Sequence, residues 1–131
     1  MFDDIMKWIA IIVGLIVMLV LVNVTALMIA LTGSVIFVAA IFSIIISALI
    51  GGMATGFMAK GDLMNGGVHG AVMGASAGIL ILIHAAIFSS GSSDPIAIML
   101  TRTLSILVFA IFGAIGGLIS VFIIEKRSKS L

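Results

Sequence analysis

WIAIIVGLIVMLVLVNVTALMIALTGSVIFVAAIFSIIISALIGGMATGFMA, residues Trp8 to Ala59, runs for fifty-two residues without an Asp, Glu, Lys, Arg or His. About 20 apolar helical residues cross a hydrocarbon core of about 30 Å, so the run is long enough for two crossings. In lipid every backbone donor and acceptor must pair within the protein, which makes helices of such segments. The rest of the chain agrees. Of 131 residues 63% are hydrophobic and 8% charged, where soluble domains carry about 25% charge; the mean hydropathy is +1.52. A net charge of +1 sets up no field to draw nucleic acid. Without cysteine there are no disulfides, iron–sulfur clusters or thiolate metal sites. The length suits one domain, residues 1–131, with no separate soluble module.

The amino terminus does not read as a cleaved signal. Met1 to Lys7 sets Asp3 and Asp4 against one lysine, and the apolar stretch that follows has no A-x-A end. It is about twice the length of a signal's apolar region, so a retained helix is expected.

Punctuation predicts four helices, at about 7–31, 35–59, 66–88 and 95–124. The breaks are Thr32-Gly33-Ser34, Lys60-Gly61-Asp62 and the run Ser89 to Asp94. Asn65 suits the cap of the third helix, and Pro95 the first turn of the fourth. Short connections favour antiparallel neighbours. The expected fold is all-α: a polytopic four-transmembrane-helix bundle with short loops, multi-pass in the cell membrane. Lys7, Lys60, Lys126, Arg127 and Lys129 share one side, and only Arg102 leans to the other. Short loops rich in Lys and Arg stay inside, so both termini are expected in the cytoplasm, N-in and C-in. Ala48-Leu49-Ile50-Gly51-Gly52 echoes Gly113-Ala114-Ile115-Gly116-Gly117, and Phe57 and Phe122 each follow five residues after the glycine pair. The echo suggests a duplicated hairpin with parallel repeats.

Glycine supplies the densest pattern: Gly66, Gly70, Gly74 and Gly78 at a spacing of four, preceded by Gly51, Gly52 and Gly56 and followed by Gly113, Gly116 and Gly117. Such spacing lays a small-residue stripe along a helix, and lipid-embedded helices associate through close approach at small residues. The stripe on the third helix is expected to meet mainly the second, whose small residues directly precede the turn. A homo-oligomer or a larger membrane complex is the further partner such a surface allows, besides the bilayer itself.

The stretch Gly51-Gly52-Met53-Ala54-Thr55-Gly56, a polar turn, then Gly66-Gly67-Val68-His69-Gly70-Ala71-Val72-Met73-Gly74 resembles a family of small glycine-rich four-helix membrane proteins of unknown function, mostly archaeal with bacterial relatives. The resemblance covers about a quarter of the chain. It implies the four-helix fold and a shared turn around Gly56, Gly66, His69 and Gly70, and no activity.

Two polar groups stand out. Lys60, Asp62 and His69 lie at the central turn, where free N–H groups at a helix start suit a headgroup phosphate. The structural alternative, a histidine hydrogen-bonded across the turn to lock the hairpin, is preferred. Asn23, His84 and Arg102 fall near the opposite side and would line a polar vestibule. Arg102 also reads as a snorkelling anchor, and His84 as the partner of a facing carbonyl. His84 continues the series Gly67, Gly70, Gly74, Ala77, Ile81 at coiled-coil spacing.

Proton- or sodium-driven rotors and small exporters need a mid-membrane carboxylate. The five acids here, Asp3, Asp4, Asp62, Asp94 and Glu125, all lie at ends or loops. No hydrolase elbow, phosphate loop or metal-ligand cluster occurs, and the asparagine- and arginine-bearing motifs of small fluoride channels are not visible. Nine methionines read as packing filler. No catalytic residue, metal or cofactor is expected. The leading expectation is a non-enzymatic structural or accessory membrane protein, and the alternative is a small oligomeric channel or passive permeation pathway.

Overall fold

The computed structural model describes residues 1–32, 37–59, 62–88 and 95–130. They form four helices: α1 (Phe2–Thr32), α2 (Phe37–Ala59), α3 (Leu63–Phe88) and α4 (Pro95–Ser128). Each contains a stretch long and apolar enough to cross a membrane. The fold is therefore an all-α polytopic bundle. The turn centred on Gly33, Lys60 with Gly61, and the loop 89–94 lie outside the described residues.

Local chemistry moves three boundaries from their expected places. α1 begins before Lys7, with Asp3 and Asp4 in its first turn, where acidic groups offset the positive end of the helix dipole. Asp4 also lies 3.9 Å from both Lys7 Nζ and the terminal ammonium. α3 begins at Leu63 because Asp62, not Asn65, is the cap. Asp62 Oδ1 accepts the Asn65 N–H at 3.1 Å, and the Asp62 carbonyl accepts the Gly66 N–H at 3.1 Å. Asn65 thus sits inside the first turn. α4 continues past Ile124, with Lys126 and Arg127 in its last turn, and Lys129 Nζ reaches Glu125 Oε1 at 2.6 Å. That ion pair is exposed and adds little; cations at a helix C-terminus add their own small stabilisation.

The contact pattern fixes direction. Gly14 meets Thr55 while Met18 meets Gly51, so α1 and α2 are antiparallel. Gly66 meets Gly117, Gly70 meets Gly113 and Gly74 meets Phe109, so α3 and α4 are antiparallel. Gly52 meets Gly113 and Gly56 meets Gly117, so α2 and α4 run parallel. α2 and α3 each touch all three other helices, whereas α1 and α4 do not meet among the described residues. The termini and the central turn share one end, here the near end: Phe2 and Lys7 flank the same cleft as Met58 and Asn65, and Val121 lies against Gly66.

The α3 glycine stripe does not pack mainly on α2, as sequence adjacency suggested. It packs on α4. The carbonyl oxygen of Gly113 occupies the place where a Cβ on either Gly52 of α2 or Gly70 of α3 would fall. One turn on, the Gly117 carbonyl stands 2.7 Å from the Cβ positions of both Gly56 and Gly66. α4 is thereby wedged between α2 and α3, with backbone against backbone. α2 instead turns its other small face to α1, where a Cβ on Gly51 would sit 2.8 Å from the Gly14 carbonyl and 2.9 Å from Met18 Cβ. Gly116 meets Leu49 and Met53 of α2.

The interior is consequently built from small and flexible residues. Ala10, Met18, Ala48, Met73 and Ala77 are buried, as are the hydroxyls of Ser47, Thr55 and Ser120. Each hydroxyl bonds a carbonyl of its own helix: Ser47 to Ser43 at 2.8 Å, Thr55 to Gly51 at 3.0 Å, Ser120 to Gly117 at 2.7 Å. Among the described residues no buried side-chain polar atom lacks a partner, as an interior without water requires. The bulky side chains point outward, including Ile12, Ile16 and Val20 on α1 and Leu104, Leu107 and Ile111 on α4. That arrangement suits lipid as the outer solvent.

Two substitutions separate the seam from its surroundings. A Cβ at Gly113 would strike the Gly70 backbone, whereas one at Gly67 meets only the end of the Leu118 side chain at 3.0 Å. Gly113→Ala is expected to lower unfolding free energy in mixed detergent by about 3 kcal/mol, the upper range for overpacking. Gly67→Ala should stay within about 1 kcal/mol of the parent, since the helix-propensity gain offsets a small shift of Leu118. Helical circular dichroism during titration with a denaturing detergent reads both.

Candidate functional site

The near-end group is only partly assembled. Asp62 is committed to the α3 cap. His69 Nδ1 lies 2.7 Å from the Asn65 carbonyl, one turn back on the same helix. A carbonyl only accepts, so Nδ1 carries the hydrogen in this bond. This bond lies within α3; the expected bond across the turn would fall on Lys60 and Gly61, outside the described residues. Lys60 lies outside the described residues. Beside this turn is a cleft of about 350 Å³ flanked by Asp3, Lys7, Met58 and Asn65; its lining includes neither Asp62 nor His69.

The far half differs in kind. All glycines of the described parts of α2, α3 and α4 lie between the near end and Gly78, and beyond them the helices are rich in Ile, Leu and Val. A cavity of about 790 Å³ opens there, contributed to by all four helices. Its floor is Leu19, Leu80 and Phe109; its walls include Ile45 and Ile81. Below the floor, Met18, Met73, Ala77 and Phe109 form a packed cluster. Asn23, His84 and Ser105 are its polar lining residues.

Register sorts these residues by depth. α1 and α3 run away from the near end, so Asn23 lies beyond Leu19 and His84 beyond Leu80. α4 runs the opposite way, so Ser105 lies beyond Phe109. The polar residues therefore share the end farther from the glycine seam. By helical rise Asn23 is about 24 Å beyond Lys7 and His84 about 31 Å beyond Leu63, near the far limit of a hydrocarbon core of about 30 Å.

The structure thus brings Asn23 and His84 to one cavity, as the sequence grouped them. Apart from Ser105, the other described lining residues are aliphatic or aromatic. The side chain of Arg102 lies outside the described residues; its backbone is in α4, three residues before Ser105. Asn23 Nδ2 donates to the Leu19 carbonyl at 2.8 Å. An amide retains a second N–H and a carbonyl oxygen. Among the described residues no group of three or more His, Asp or Glu stands close enough to hold a metal ion.

Sequence reasoning missed Gly14, Thr55, Ser120 and Ser105. The first three form the tightest contacts outside the long stripe: a Cβ on Gly14 would fall on the Thr55 hydroxyl, and one on Gly56 on the Ser120 hydroxyl. A signal for two of them was present. The echo between α2 and α4 has an offset of 65 (51 to 116), which carries Thr55 onto Ser120, and both are fully buried. Ser105 carries no pattern in the sequence.

The four apolar helices and their buried small-residue seam define a small helical integral membrane protein. The chain belongs to the family of unknown function DUF5518, whose model matches residues 8–123. No curated protein and no solved structure matches the chain.

The capping assignment is open to measurement. Asp62→Ala should cost about 1 kcal/mol, the usual worth of such a cap, with amide exchange accelerating in the first turn of α3. Asn65→Ala, which leaves the cap oxygen in place, should leave exchange there near parental values.

Proposed function

We propose that the protein is a non-enzymatic structural or accessory component of the cell membrane, with both termini on the cytoplasmic side. The observation that carries this reading is the lodging of the Gly113 and Gly117 carbonyls between α2 and α3. There glycine contributes spacing, not reactive chemistry. The clamp forms within one chain, so the stripe first offered for association is occupied internally. Contact with a second copy or a larger membrane complex then falls to the aliphatic exterior, such as Ile12 and Ile16 of α1 or Leu107 and Ile111 of α4, all exposed.

Two measurements test it. Native mass spectrometry from lipid nanodiscs should show species heavier than the 13.5 kDa chain. Paired substitution Leu107→Ala/Ile111→Ala should reduce them without moving the unfolding midpoint. A single-chain mass under all conditions overturns the accessory reading. The absence of native cysteine makes orientation simple to read. In intact cells a membrane-impermeant maleimide should label Ser92→Cys and spare Ser130→Cys; the reverse pattern would place the termini outside.

The far cavity favours a second reading, a permeation pathway with Asn23 and His84 among its determinants. Within one chain such a path meets the level of Gly52, Gly70 and Gly113, where three backbones touch, so flux would run between copies. Ion or solute flux in reconstituted vesicles that changes on His84→Ala supports it. No flux above empty vesicles across a broad ion panel removes it.

A further inference from the structure

We infer that the far-half cavity is a binding site for a compact, neutral, lipid-soluble amphiphile bearing one hydrogen-bonding carbonyl or hydroxyl. The molecule would sit with its polar group at the Asn23–His84 mouth and its apolar body against Leu19, Leu80 and Phe109. The site would serve in this way whether or not the protein is an accessory component.

Size, depth and polarity each narrow the occupant. A volume of about 790 Å³ lies within the range of small-molecule sites, about 300–1,000 Å³. The described lining is shallow: from Leu104 to Phe109 is about 8 Å of helical rise. A ring system or a short branched chain matches that shape, whereas an acyl chain standing upright does not. The helices that form the walls are exposed to hydrocarbon, so entry is from the bilayer and the molecule is lipid-soluble. Among the described residues no Lys, Arg, Asp or Glu lines the cavity, and an uncompensated ion against Leu19, Leu80 and Phe109 is expensive, so a neutral molecule suits the described lining.

The mouth supplies the hydrogen bond. Asn23 gives one N–H to Leu19, and its second N–H and its oxygen let it meet either a carbonyl or a hydroxyl. Polar groups at membrane depth are costly, and a ligand atom at Asn23 lowers that cost. Met18, Met73 and Ala77, packed beneath the floor, give the site a closed end.

The test uses 4-(hydroxymethyl)benzophenone as probe, a compact neutral alcohol that labels nearby C–H bonds on irradiation. The full chain is placed in nanodiscs and adducts are mapped by peptide mass spectrometry. Saturable labelling concentrated on Leu19, Val22, Ile81 and Val108, displaced by excess diphenylmethanol, is expected. 4-Carboxybenzophenone, charged at neutral pH, should label these positions at least tenfold less. Asn23→Leu, similar in volume but without the amide, should raise the half-saturating concentration about fivefold, the size of one neutral hydrogen bond. Val108→Trp, which fills the space, should abolish saturable labelling; Ile81→Trp fills it from α3 should the first variant misfold, and helical circular dichroism checks each. Labelling spread over Ile12, Ile16 and Ile111 in proportion to their exposure, or unchanged in a folded filled variant, means that bulk lipid alone occupies the cavity and overturns the assignment. Preference for the carboxylate probe overturns the neutral class.

Discussion

Two carbonyl oxygens, those of Gly113 and Gly117, set the geometry of the molecule. Each is approached from two sides, by Gly52 and Gly70 in the first case and by Gly56 and Gly66 in the second. Lipid offers no hydrophobic drive between helices, so association depends on close packing and weak polar contacts. Glycine at each of these positions brings Cα–H groups towards carbonyls on neighbouring helices, a contact worth about 0.5–1 kcal/mol. The stabilisation is available only at backbone contact distance. A methyl group at Gly113 would push α3 away along its whole near half, which is why one position governs a long interface. The hydroxyls of Thr55 and Ser120 fit the same constraint, because each bonds its own helix and so enters the seam without an unmet polar atom.

The spans were legible because lipid imposes a length and a composition that nothing else in the sequence contradicts. Trp8 to Ala59 could be divided only at Thr32-Gly33-Ser34, and Pro95 opens α4 as its missing N–H predicts. The partner of the α3 stripe was not legible. A spacing of four says that a face is small; it does not say which small face it meets. Both α2, through Gly52 and Gly56, and α4, through Gly113 and Gly117, carry a matching spacing, and proximity in sequence pointed to α2. The structure resolves the choice by giving each helix two roles. α2 has small residues on two sides, Gly51 towards α1 and Gly52 towards α4, which leaves α3 to take the remaining face of α4. Adjacent glycines in a helix lie about 100° apart, so the pair Gly51-Gly52 already encoded contact with two neighbours.

The caps show the same limit on a smaller scale. Asp62 and Asn65 are both competent caps three residues apart, and the glycines after Asn65 drew the boundary too late. The oxygen of Asp62 decides it, by accepting the Asn65 N–H. Of the polar residues, Asn23 and His84 were grouped by height alone, and height was sufficient because α1 and α3 run parallel. Ser105 entered the same cavity from α4 without any pattern that sequence could expose. His69 has a carbonyl of its own helix one turn back, at Asn65, a contact that spacing of four along α3 allows.

The distribution of glycine along the bundle also explains why a tightly packed near half and an open far half occur in one small protein. Helices that touch by backbone near Gly66 and Gly117 carry branched side chains farther on, among them Ile45 and Ile81, which line the cavity. Branched side chains cannot approach as closely as bare backbone does, and the cavity lies among them. Met18 and Met73, unbranched and adaptable, fill the transition between the two regimes and are fully buried there. The cavity therefore ends on a packed floor, and its shape follows from where side chains are missing and where they return.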